Sequence, residues 1–176
     1  NKQTKRTKNC KKKQMDTRKK TKMLQQRLAP YKKFIVTGAS GFLGQAIVQK
    51  LQDLNKKVLT LSSKDVDLRD QQATLAFFKN IQTDQNEVLI HCAVQGGGIG
   101  WMKEHPVASF VDNIYINSNI LVAAHRYGIQ KFIGVSSACI YPRIGKLPFV
   151  ESEIWDGYPE PINGGYALSK RMMMEM

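Results

Sequence analysis

From Lys33 onward, short apolar runs alternate with longer amphipathic ones, an order that predicts a parallel sheet covered by helices. Phe34 to Thr37 reads as a first strand, and Phe42 to Leu54 as a helix with Leu43, Ile47, Val48 and Leu51 on one face. Val58 to Leu61 supplies a second strand and Asp65 to Leu68 a short third. Asp70 is placed to cap a helix through Ile81, with Leu75, Phe78 and Ile81 turned inward. Val88 to Cys92 is the next strand, followed by the glycine-rich segment QGGGIG. Val107 to Tyr127 has helical periodicity through Phe110, Ile114, Leu121 and Val122, and Gly128 is positioned to end it. Lys131 to Ser136 is the last clear strand, and a helix carrying Tyr166 to Met176 runs to the final residue.

Charge divides the chain in two. The formal net charge is +13, but the first 33 of its 176 residues hold fourteen Lys or Arg against Asp16 alone. The remaining positions carry thirteen basic and thirteen acidic side chains. A neutral body argues against the basic groove of a duplex-binding domain, so no specific nucleic-acid partner is expected. Residues 1 to 32, rich in Lys, Gln and Thr, should be disordered or at most loosely helical before Pro30. Met23 offers an alternative start that would remove most of this charge. The chain opens on Asn and closes on RMMMEM with no stop signal, so it is read as a fragment.

Hydrophobic content of 42% gives residues 33 to 176 enough material for one packed core. No apolar run approaches the ~18 residues of a membrane span, and no apolar h-region marks a secretory signal. Cys10, Cys92 and Cys139 have neither metal-ligand spacing nor an even count. The expectation is a reduced, cytoplasmic protein without a metal site.

The segment Phe34-Ile-Val-Thr-Gly-Ala-Ser-Gly-Phe-Leu-Gly44 puts three glycines at a strand-to-helix junction. Gly38 permits a tight turn, Gly41 lets a pyrophosphate approach the backbone amides, and Gly44 lets the helix pack close while its N-terminus faces the phosphates. The cofactor-binding candidates here are Gly38, Ser40, Gly41, Phe42, Leu43 and Gly44. A glycine loop in a βαβ setting implies a Rossmann-type doubly wound α/β domain, cut before any C-terminal substrate lobe.

The GxxGxxG spacing resembles the extended short-chain dehydrogenase/reductase superfamily, whose branch here modifies nucleotide sugars. That resemblance implies a catalytic Ser at a strand end and a YxxxK pair. Both follow, in Ser136-Ser137-Ala138-Cys139-Ile140-Tyr141-Pro142 and in Tyr166-Ala-Leu-Ser-Lys170. Tyr166 and Lys170 stand at i and i+4 on one helix face. An ammonium there, with an oxidised nicotinamide, is expected to lower the phenol toward neutrality and make Tyr166 a general acid or base. Ser137 would polarise the substrate carbonyl, and Lys170 would also hold the nicotinamide ribose.

Within that branch, SSACIYPRIGKLPFVESEIWDGYPEPINGGYALSK is similar to the GDP-L-fucose synthases, which epimerise a GDP-4-keto-6-deoxy sugar at C3 and C5 and reduce it at C4. The resemblance implies a nucleotide-sugar substrate, a homodimer, and roles for Ser137, Cys139, Tyr166 and Lys170 as catalytic Ser, epimerisation Cys, Tyr and Lys. Cys139 suits proton shuttling at a carbon made acidic by a ketone. A dehydratase would need an acid beside Ser137, where Ala138 and Cys139 stand.

Two departures follow from the same resemblance. The family's partner His lies beyond the YxxxK helix, and His91, His105 and His125 all precede it. The family's 2′-phosphate Arg in the glycine loop is replaced by Ser40. Ser62, Ser63 and Lys64 follow the second strand, which favours NADP(H) and leaves NAD(H) open. Asp67 and Leu68 would lie against the adenine, and Asn113 would support Lys170 or a bound water. The alternatives are another nucleotide-sugar epimerase or ketoreductase, and a non-catalytic dinucleotide-binding module.

Overall fold

The computed structural model describes residues 19–81 and 86–176. Two units are distinguished, Asn1–Lys32 and Lys33–Met176. In the first, residues 1–18 lie outside the described residues, so their expected disorder does too. Residues 19–28 form helix α1, the helical of the two states expected for that stretch.

The second unit is built on a four-stranded parallel sheet of β1 (Lys33–Thr37), β2 (Lys57–Leu61), β3 (Glu87–His91) and β4 (Lys131–Gly134), in the order β2-β1-β3-β4. The order reverses between β1 and β3, and in such sheets the crevice at the carboxyl ends of those two strands is where ligands enter. Strands β1 and β3 read as continuous apolar runs because helices cover both faces, and Phe34, Ile35, Val36, Val88 and Leu89 are all buried. Their neighbours in the core include Leu61, Phe78, Ile116 and Ile120.

Helix α2 (Phe42–Asp53) starts where predicted. Leu51 is buried, but Leu43 is left exposed at the mouth of the cleft described below, not in the apolar face. Asp70 caps helix α3 (Gln71–Lys79) as expected, accepting from the Ala73 amide at 3.0 Å. Helix α4 (Ile99–Glu104) arises where only a glycine-rich segment was read, followed by α5 (Pro106–Arg126) and α6 (Gly164–Glu175).

Two expectations are corrected. Asp65 to Leu68 is a run of turns, because the Asp65 carboxylate accepts from both the Ser62 amide and hydroxyl at 2.7 Å. The Asp67 carboxylate likewise takes the Arg69 amide at 3.0 Å. Side chains that bond their own backbone compete with a strand ladder. On α5 the buried stripe is Asn113, Ile116, Asn117, Ile120, Ala123 and Ala124, whereas Phe110 is exposed.

Candidate active site

The glycine loop closes on itself tightly enough that side chains are excluded. Gly38 has φ +65°, and a Cβ there would lie 2.7 Å from the Ala93 backbone nitrogen. A Cβ on Gly44 would lie 2.1 Å from the Gly38 carbonyl oxygen. The Gly41 amide donates to that same carbonyl at 3.0 Å. No side chain caps α2 at Gly41, so the first-turn amides and the helix dipole face the cleft. That cradle fits a dinucleotide pyrophosphate.

The cleft has two connected parts. The larger, about 340 Å³, is lined by Ser40, Ser62, Ser63, Asp67, Leu68 and Arg69. The smaller, about 280 Å³, is lined by Phe42, Leu43, Gly44, Tyr166 and Lys170. Gly38, Gly41, Cys92 and Val94 line both, which makes one trough across the glycine loop with a candidate adenosine end and a candidate catalytic end. Among the cofactor-binding candidates Lys64 stands apart, being exposed and bordering neither part, and the catalytic candidates Ser137 and Cys139 border neither part either. Arg69 lines the trough and escaped the sequence reading, though both neighbouring acids engage it, Asp67 at 2.7 Å and Asp112 at 3.4 Å.

At the catalytic end, β4 leads into Ser137, the cap of a 3-10 turn Ala138–Ile140, whose hydroxyl accepts from the Cys139 amide at 3.2 Å. Helix α6 presents Tyr166 and Lys170 to the same space, with the Lys170 nitrogen 5.9 Å from the Tyr166 ring centre. Arg171, absent from the sequence reading, joins the two elements. Its Nε donates to the Ile140 carbonyl at 2.7 Å and its Nη2 to the Gly157 carbonyl at 3.0 Å.

Burial pushes the Tyr166 phenol up from its ordinary value, and a charge on Cys139 would add to that, while a hydrogen bond with Ser137 pulls it down. The expected lowering invoked Lys170 and an oxidised nicotinamide; among the described residues, desolvation of the phenolate is the largest influence. Burial also pushes the Lys170 ammonium down to about 8, against the charge of Cys92. The Cys92 thiol is raised by burial and drawn the other way by Lys170.

A directional hydrogen-bond chain seats α6. The Ala93 amide donates to the Thr37 hydroxyl at 3.3 Å, which leaves that hydroxyl to donate to His91 Nδ1 at 2.7 Å. His91 Nε2 then donates to Asn117 Oδ1 at 3.1 Å, and Asn117 Nδ2 to the Ser169 carbonyl at 3.1 Å. The network thereby assigns a neutral Nε2–H ring. Burial holds His91 down at about 4, with the Lys170 charge acting in the same direction. Asn113 does not reach Lys170 through its side chain. Its amide clamps the Gln95 backbone at 2.9 and 2.8 Å and the Ser109 carbonyl at 2.8 Å. Among the described residues no cluster of His, Cys, Asp or Glu could hold a metal, and no helix is long and apolar enough to cross a membrane.

Comparison with known proteins agrees with this geometry. The chain is 32% identical over 142 residues to GDP-L-fucose synthase of Dictyostelium discoideum, covering 79% of this chain and 43% of that one. It is 35% identical over 136 residues to GDP-L-fucose synthase of Escherichia coli K12, covering 77% and 41%. A GDP-L-fucose synthetase from Naegleria fowleri bound to NADP superposes with a TM-score of 0.72 at 31% identity, covering 82% of this chain and 46% of that one. The chain thus spans under half the length of these relatives. Residues 34–176 match the family described as NAD dependent epimerase/dehydratase. With its glycine cradle and its Tyr166 and Lys170 at the cleft, the chain belongs to that family, the NAD(P)-dependent oxidoreductases and epimerases of the extended short-chain type.

Proposed function

We propose that the complete protein is an NADPH-dependent 3,5-epimerase and 4-ketoreductase that converts a GDP-4-keto-6-deoxymannose-type sugar to GDP-L-fucose. The observation that carries this reading is the meeting of Tyr166 and Lys170 on α6 with Ser137, while the Cys139 thiol sits on the turn that Ser137 caps. Relatives named GDP-L-fucose synthase, and a GDP-L-colitose synthase of Yersinia pseudotuberculosis at 32% identity, support the substrate class. NADP(H) is preferred over NAD(H) because Ser63 offers a hydroxyl on that side of the trough and the Asp65 carboxylate is already engaged by the Ser62 amide and hydroxyl. The NADP-bound Naegleria relative points the same way.

When bound, the cofactor supplies the hydride for C4. Ser137 donates a hydrogen bond to the C4 oxygen and fixes the direction of the carbonyl. As negative charge develops on that oxygen, the Tyr166 O–H breaks and its proton converts the alkoxide to a hydroxyl. Lys170 holds the nicotinamide ribose and offsets the phenolate left behind. Cys139 works earlier, at a carbon beside the ketone: its sulfur takes or returns a proton while the C–H electron pair passes into or out of the enolate.

The test uses the complete protein with NADPH and the keto sugar, reading NADPH oxidation and solvent deuterium incorporation at C3 and C5. Both are expected in the wild type. Tyr166→Phe should lower reduction by about a hundredfold or more, the scale of a lost general acid. Cys139→Ser should abolish deuterium incorporation and spare reduction of the already epimerised ketone. Protein that binds NADPH yet neither oxidises it nor exchanges the sugar's protons would instead be a non-catalytic dinucleotide-binding module.

A further inference from the structure

Asn163 occupies the N-cap position of α6, three residues before Tyr166. An Asn there ordinarily turns its side-chain oxygen onto the first-turn amides, a bond that stabilises a helix by about 1 kcal/mol. Here the cap bond is absent. The side chain is turned away, and its Nδ2 donates to the Cys139 sulfur at 3.2 Å. Its Oδ1 is buried with no partner among the described residues, a disposition that proteins rarely tolerate without return. The side chain thus forgoes its local role and spends its one bond on the thiol.

We propose that Asn163 is the positioning residue for Cys139, holding the sulfur on the turn that Ser137 caps and stabilising negative charge on it while it carries a proton. The proposal rests on the reading of Cys139 as the epimerisation acid or base. The N–H donor supplies a fixed dipole aimed at the atom where charge appears, in a site partly shielded from water. The two residues come from separate elements: Cys139 lies in the 3-10 turn after β4, and Asn163 closes the 3-10 turn Pro161–Asn163 that runs into α6. Arg171 fixes their relative position by bonding the Ile140 carbonyl from α6. The hydrogen bond therefore joins the epimerising sulfur to the element that carries the reductive Tyr166 and Lys170.

The test replaces the donor by residues that cap helices well. Asn163→Asp keeps the shape but offers only acceptors, and Asn163→Ser caps without reaching the sulfur or adding charge. In the complete protein both should hold or raise the thermal midpoint and bind NADPH as the wild type does. Deuterium incorporation at C3 and C5 should fall about tenfold in kcat with KM unchanged, the fold-change of one lost hydrogen bond to a charged group. Reduction of the already epimerised ketone should be spared, and Asn163→Gln should recover part of the loss. A second reading needs no substrate: the rate of Cys139 alkylation by iodoacetamide, followed on its own peptide by mass spectrometry with Cys92 as internal reference, should fall in the same variants. Wild-type alkylation and exchange in both Asp and Ser variants would overturn the proposal, as would equal losses of exchange and reduction. If the wild type performs no exchange, the functional reading fails, and the alkylation rates still decide whether Asn163 acts on the sulfur.

Discussion

His91 gives the clearest case of a single residue whose chemistry the fold dictates. Its ring is fully buried between Thr37 and Asn117, an arrangement that the neutral form with Nε2–H satisfies by accepting from Thr37 and donating to Asn117. Its folded value of about 4 lies below the ordinary 6.5, so the unfolded chain binds the extra proton first. The stability it contributes is complete above pH 6.5, declines as pH falls through that value, and levels off below about 4. Urea unfolding should accordingly show a loss of about 2 kcal/mol between pH 7 and pH 5 from this group. His91→Gln should flatten that part of the profile while lowering stability at pH 7. Nothing in the chain's local pattern separates His91 from His105 and His125 chemically. Its role depends on partners at positions 37 and 117, which only the folded sheet brings together.

Among the elements, β1, α3 and α5 were legible because each pairs a periodicity with a physical stop or start. Glycine ends β1, Asp70 caps α3, and Gly128 follows α5 with φ +72°. The glycine loop was legible to the atom: Gly44→Ala would drive a Cβ against the Gly38 carbonyl, neither side of which is a flexible side chain. That substitution should cost about 1–3 kcal/mol in unfolding and lose NADPH binding measured by fluorescence. What stayed hidden was the inward stripe of α5. Hydrophobicity selected Phe110 and Ile114, whereas Asn113, Asn117 and Asn119 face inward and hold Gln95, Ser169 and the Leu68–Arg69 carbonyls. Amides at those sites satisfy backbone groups where the chain leaves β3 and approaches α3, a demand that apolar periodicity does not register. Asn163 was hidden for the same reason, since its partner is a sulfur on a distant turn.

For the whole molecule, the separation of charge from fold is the governing feature. The trough offers backbone amides and a helix end that suit phosphates, and residues 34 to 176 carry thirteen basic and thirteen acidic side chains. Removing residues 1–32 from the complete protein should therefore leave NADPH affinity within about twofold, while abolishing any salt-sensitive binding to RNA in a filter or shift assay. The hydrogen-bond chain from Thr37 through His91 and Asn117 to Ser169 has a further consequence during vectorial synthesis. The four described strands and the glycine loop all precede α6 along the chain, so the Asn117 amide waits for a carbonyl not yet made. Only when α6 arrives is the bond closed, and with it Tyr166 and Lys170 come to the trough. The residues of the glycine loop are thus translated well before Tyr166 and Lys170, so in a nascent chain the loop can form ahead of the wall that α6 adds to the trough.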